Sequence, residues 1–141
     1  MTVASAGQTV KVFAVMAGSL VILDLGWLGV LAKPLYEQGL ASLRRPDVVV
    51  PAAAIFYAFY LGAIYVQAVR RAPSVAAAAR GGAWLGLTAY ATYELTNWAV
   101  LRDWPAWLVP IDVAWGVVLT AAVAAMGRWV AGGAPSASGA P

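Results

Sequence analysis

Four apolar stretches, each about as long as a bilayer is thick, take up most of this 141-residue chain. They run from about Val12 to Ala32, Val48 to Val69, Trp84 to Leu101 and Leu108 to Gly127. A helix of ~20 residues rising about 1.5 Å per residue matches a hydrocarbon core of roughly 30 Å. Inside these stretches lie Asp24, Glu94 and Asp112. Each costs about 3 kcal/mol to insert if charged and unpaired. The pattern says where the chain resides and which residues are out of place there.

A soluble four-helix bundle of this length would need a polar face on every helix. Between Val48 and Val69 there is no charge, and the polar atoms belong to Tyr57, Tyr60, Tyr65 and Gln67. Over the whole chain 62% of residues are hydrophobic and 11% charged, against roughly 25% charged in a soluble domain. The reading is therefore an all-α membrane protein, a bundle of four transmembrane helices in one domain spanning residues 1–131. The tail 132–141, rich in Gly, Ala, Pro and Ser, is expected to be disordered.

With no cysteine there is no disulfide, thiolate ligand or thiol nucleophile, and with no histidine the usual general base and metal ligand are missing. No metal site is expected, and the residues name no cofactor. The net charge of +3 is scattered over helix ends and excludes a nucleic-acid surface. The first stretch is too long for a cleavable signal, contains Asp24 and is followed by no A-x-A-type site, so it is expected to stay as a helix.

An even number of spans puts both termini on one side. That side holds Lys11, Arg70, Arg71, Arg80 and Arg128, against Lys33, Arg44, Arg45 and Arg102 on the other, five to four. The bias places the termini in the cytoplasm. In the first connection Tyr36, Leu40 and Leu43 recur at helical spacing among charged residues, predicting a short amphipathic segment in the interface between spans one and two. Ser74 is a helix N-cap candidate, so a helix can start there and run into the third span. The tight third connection, Arg102 to Trp107, makes spans three and four antiparallel neighbours. Its Trp104 and Trp107, like Trp84, Trp98 and Trp129, read as interfacial anchors. Gly82 and Gly86 have the spacing of close helix packing, a weak signal in an alanine-rich chain.

The three acids fall in one half of the bilayer. Asp24 and Glu94 each lie eight residues from the non-terminal interface, about 12 Å deep, and Asp112 about 6 Å deep. Trp27 stands at i+3 from Asp24 and Trp115 at i+3 from Asp112. In span three Tyr90, Tyr93, Glu94 and Asn97 follow a helical face, and Tyr57 and Tyr60 of span two reach similar depth. This predicts a polar, aromatic-walled pocket open to the non-terminal side. Asp24, Glu94 and Asn97 are expected to face one another across spans one and three, walled by Trp27, Tyr90 and Tyr93. Asp112 is expected near the mouth, with Trp115 beside it. Plainer readings stand beside this one. Asp112 follows Pro110 in a first helical turn, where a carboxylate suits the helix dipole, and for it alone that role is the simpler. Glu94 and Asn97 can equally hold neighbouring helices together. Asp24, at mid-depth with no helix end nearby, is hardest to explain as packing.

The combination Leu23-Asp24-x-x-Trp27-Leu28-Gly29, Ala89-Tyr90-x-x-Tyr93-x-x-Thr96-Asn97, Leu101-x-x-Trp104-Pro105 and Asp112-x-x-Trp115-Gly116 resembles a family of small bacterial integral membrane proteins catalogued only as a domain of unknown function. The resemblance covers roughly Val12 to Gly127. It implies a four-span protein of the bacterial inner membrane and transfers no activity. At Glu94 the family pattern leads one to expect Asp.

Three classes of function follow. The leading one is binding or transport of a cation, a proton-coupled solute or an amphiphile at the acidic site, with four short spans dimerising to form a pathway. The second is a membrane enzyme or accessory subunit acting on a lipid or another apolar small molecule, with paired carboxylates as acid and base. The third is a structural or assembly partner in which the acids lock the bundle. Beyond the lipid bilayer, a small-molecule or lipid ligand is the partner the pocket suggests.

Overall fold

The computed structural model describes residues 6–132. They form helix α1 (Ala6–Gly26), running on through a π-helical turn (Trp27–Leu31), and α2 (Lys33–Gly39). Next come α3 (Val50–Ile64), with its own π-helical turn (Tyr65–Val69), α4 (Val75–Val100) and α5 (Val109–Val130). Pro34, Pro51 and Pro110 stand in the first turns of α2, α3 and α5, where a missing N–H costs nothing. Ser74 caps α4 by accepting the Ala77 N–H at 3.1 Å. Gly132, at φ +103°, closes the end of α5 in the left-handed conformation. The rest of the tail expected to be disordered lies outside the described residues.

Three helical stretches are long and apolar enough to cross a membrane: Ala6–Leu31, Val50–Val69 and Val109–Val130. At 26 residues α4 has the length, but Arg80, Thr88, Glu94, Thr96 and Asn97 lower its apolarity. The stretch from Trp84 to Leu101 is thus the second part of a longer helix that begins at Val75.

α4 and α5 form the tightest pair in the fold, and α1 packs along α5 rather than α4. The α4–α5 crossing needs glycine. A Cβ on Gly86 would collide with the backbone carbonyl of Gly116, and one on Gly116 with the Tyr90 ring. Around this pair Met16, Leu20, Ile64, Leu119 and Val123 are buried, and the Tyr60 hydroxyl shares a 2.7 Å hydrogen bond with Thr120. Large apolar side chains outside the core face outward, Ile22 at 72% exposure and Phe59 at 79%, as suits a lipid-solvated bundle.

α3 is held unevenly. Its buried residues, Tyr60 and Ile64, lie in its last turns, and it reaches α4 through the π-helical turn that follows. Its first half stands away from α4. α2 lies across the end of the bundle on the third connection, with Gly39 against the Trp107 and Pro105 rings. Glu37 makes exposed ion pairs with Lys33 and Arg44 at 3.8 and 3.9 Å.

Candidate functional site

The gap between α3 and α4 is a cavity of about 670 Å³. Asp24 from α1, Glu94 from α4 and Asp112 from α5 all line it, at 7%, 1% and 7% exposure. Tyr36 and Leu40 of α2 and Trp104 of the third connection line the end nearest the loops. Phe56, Tyr57 and Tyr60 of α3 face Tyr90 and Tyr93 of α4, and Trp115 stands beside Asp24.

Each carboxyl is held by aromatic donors. The Tyr57 hydroxyl donates to Asp24 Oδ2 at 2.6 Å and the Trp115 indole to Oδ1 at 3.4 Å. Trp104 donates its indole N–H to Glu94 Oε2 at 2.9 Å. The Tyr36 hydroxyl donates to Asp112 Oδ1 and accepts the Trp27 N–H at 3.2 Å. Burial first, and the Asp112 carboxylate second, push the Tyr36 hydroxyl well above the usual phenol range. Among the described residues no fully buried side-chain N or O atom lacks a partner.

The close carboxyl neighbour of Glu94 is Asp112. The expectation that Asp24 and Glu94 would form the facing pair assumed contact between spans one and three. Because α1 packs on α5, Asp24 finds its partners on α3 and α5 instead, while the α4–α5 hairpin brings Glu94 to Asp112. Asp112 does lie in the first turn of α5, yet its side chain accepts from Tyr36 rather than capping the helix. Tyr90, Tyr93 and Trp115 line the cavity; Trp27 and Asn97 do not. Trp27 lies behind Trp115, in a shallow outer groove with Pro110 and Ile111. Asn97 sits one turn beyond Tyr93 on α4.

Trp104 is a correction. Read as an interfacial anchor, it is 9% exposed and bonded to Glu94, whereas Trp84, Trp98 and Trp129 are 70%, 52% and 68% exposed. Tyr36, read only as part of an amphipathic stripe, is the donor to Asp112. Both lie in connections, and their targets depend on how those connections fold back over the helix ends. Among the described residues no group of three or more His, Cys, Asp or Glu could hold a metal ion.

A family model described as a predicted membrane protein, DUF2177, matches residues 9–129. Neither the curated proteins nor the solved structures give a match.

Proposed function

The chain belongs to this family of membrane proteins, and from that premise we propose that it binds and carries a cation or a proton-coupled small molecule at the Asp24–Glu94–Asp112 cavity. It does so as a four-span protein of the bacterial inner membrane with both termini in the cytoplasm. α4, third in chain order, completes the four spans: it is long enough to cross, and its association with α5 turns Glu94 inward.

One observation carries the reading. Three buried carboxyls line one cavity, and among the described residues no lysine or arginine lines it with them. Glu94 and Asp112 are neighbours in it, and a proton or a cation shared between neighbouring carboxyls relieves their mutual repulsion. Intramembrane acids turned to a cavity are the usual equipment of ion and proton pathways.

The test uses the protein in lipid nanodiscs, titrated with tetraphenylphosphonium while tryptophan fluorescence is followed, since Trp104 and Trp115 touch the carboxyls. A saturable change that weakens on acidification and is lost in Asp24→Asn supports the reading. A flat response at every pH sinks it.

A second reading has its own support. Every carboxyl accepts a tyrosine or tryptophan hydrogen bond, as polar groups that hold helices together do. Were that the whole role, Asp24→Asn and Glu94→Gln would lower thermal stability, and no cation would raise it.

A further inference from the structure

The cavity is open on one side in a way that constrains its occupant. At the loop end it is roofed by Tyr36 and Leu40 of α2 and by Trp104, which is nearly buried. Between the first half of α3 and α4 several of its lining side chains are exposed. There its walls are also outer surface: Phe56 is 49% exposed, Phe59 79% and Tyr93 55%. In a bilayer that opening faces acyl chains rather than water. The carboxyls lie at the inner end and the phenyl rings at the rim, so the cavity grades from acidic to apolar towards the lipid.

We propose that the occupant is a single-headed amphiphile with a cationic ammonium head, entering sideways from the bilayer between α3 and α4. The ammonium reaches Asp24, and the chain lies along Phe56 and Phe59 out to the lipid. This rests on the cation-binding reading above and narrows it to a chemical class. A small hydrated ion makes no use of phenyl walls. A zwitterionic phospholipid would bring a phosphate against three carboxyls, with no basic side chain among the described residues lining the cavity to receive it. An ammonium head, by contrast, is matched by carboxylates and by the faces of Tyr57, Tyr90 and Trp115, since aromatic rings attract quaternary ammonium groups. The volume of about 670 Å³ falls within the roughly 300–1,000 Å³ range of small-molecule sites.

The experiment compares three probes in the same nanodiscs by tryptophan fluorescence. Dodecyltrimethylammonium has head and chain, tetramethylammonium the head alone, and dodecyl maltoside the chain without charge. Dodecyltrimethylammonium is expected to bind at least tenfold more tightly than either of the others, after correction for partition into the lipid. Phe59→Ala should weaken it several-fold, and Asp24→Asn should abolish saturation. Phe59→Ala keeps the test open should Asp24→Asn fail to fold. Saturable tetraphenylphosphonium binding without any advantage of the dodecyl chain would overturn lateral amphiphile entry and leave the cation site standing. Equal binding of dodecyl maltoside would overturn the ammonium head. If neither tetraphenylphosphonium nor dodecyltrimethylammonium binds, the cation-binding reading itself falls.

Discussion

The indoles of Trp27 and Trp115 stack at 4.5 Å with 6° between their planes. Each stands three residues after an acid, yet neither bonds its own. Trp115 on α5 donates to Asp24 on α1, and Trp27, past the end of α1, reaches Asp112 on α5 through the Tyr36 hydroxyl. The two Asp-x-x-Trp segments are thus interlocked across the α1–α5 contact. The stack stands between the hydrogen-bond partners of Asp24 and those of Asp112.

Trp115→Phe removes the N–H to Asp24 while keeping a ring against Trp27, and Trp115→Leu removes both. The lost hydrogen bond is worth about 0.5–1.5 kcal/mol and the ring pair about 0.5–1.5 kcal/mol more. Thermal unfolding in detergent, followed by circular dichroism, should therefore rank wild type above Phe above Leu. Equal midpoints for the two variants would mean the stack contributes nothing.

Tyr36→Phe should free α2 from Asp112 at a cost of about 1–3 kcal/mol. The pH dependence has a definite sign. The Tyr36 hydroxyl is harder to ionise folded than unfolded, so its contribution is complete below the unfolded value of about 10 and is lost as the pH rises above it. Wild type should lose stability more steeply than Tyr36→Phe above pH about 10, and parallel curves would contradict the Tyr36–Asp112 bond.

Gly86→Val should prevent the α4–α5 crossing, because the new side chain meets the Gly116 carbonyl, which is backbone and cannot turn aside. A loss of about 3 kcal/mol or more, or no folded protein at all, is expected. Gly62→Ala is the control. Nothing lies within 4 Å of its added methyl, and alanine in mid-helix should gain about 0.5–1 kcal/mol. Similar stabilities for the two variants would refute the close crossing.

Glu94→Gln and Asp112→Asn should be non-additive. Each single change relieves the contact between two carboxyls, so the double variant has less left to gain, with a coupling of about 0.5–3 kcal/mol. A thermal-stability cycle over the four proteins measures it, and strict additivity would place the two groups out of contact.

For the proposed topology, Ser42→Cys and Ser74→Cys, made separately in this cysteine-free chain, should label from opposite faces of the membrane. Ser42 lies between α2 and α3, and Ser74 between the π-helical turn after α3 and α4. Labelling from the same face would remove α3 as a span.

Much of the helical framework was legible in the residues, because bilayer-length apolar runs, prolines in first turns and the Ser74 cap are local signals. The start of α4 was announced by Ser74, although its hydropathy alone does not mark it as a span. The candidate acids were legible too, since a carboxylate within an apolar run stands out by transfer cost alone. The interfacial role given to Trp104 was not correct, because a tryptophan near a helix end reads the same whether its ring faces headgroups or turns inward.

By itself the sequence determined that the chain is helical and apolar, and that Asp24, Glu94 and Asp112 lie towards the helix ends next to the first and third connections. Which acid meets which was decided by tertiary structure alone. Periodicity fixes the face a side chain takes on its own helix but not the neighbour that face receives. Here the backbone approach at Gly86 and Gly116 gave α4 to α5, and so Glu94 to Asp112. The packing of α1 on the same α5 left Asp24 to Tyr57 and Trp115. The opening between α3 and α4 follows from contacts α3 does not make along its first half, and no local signal encodes a gap.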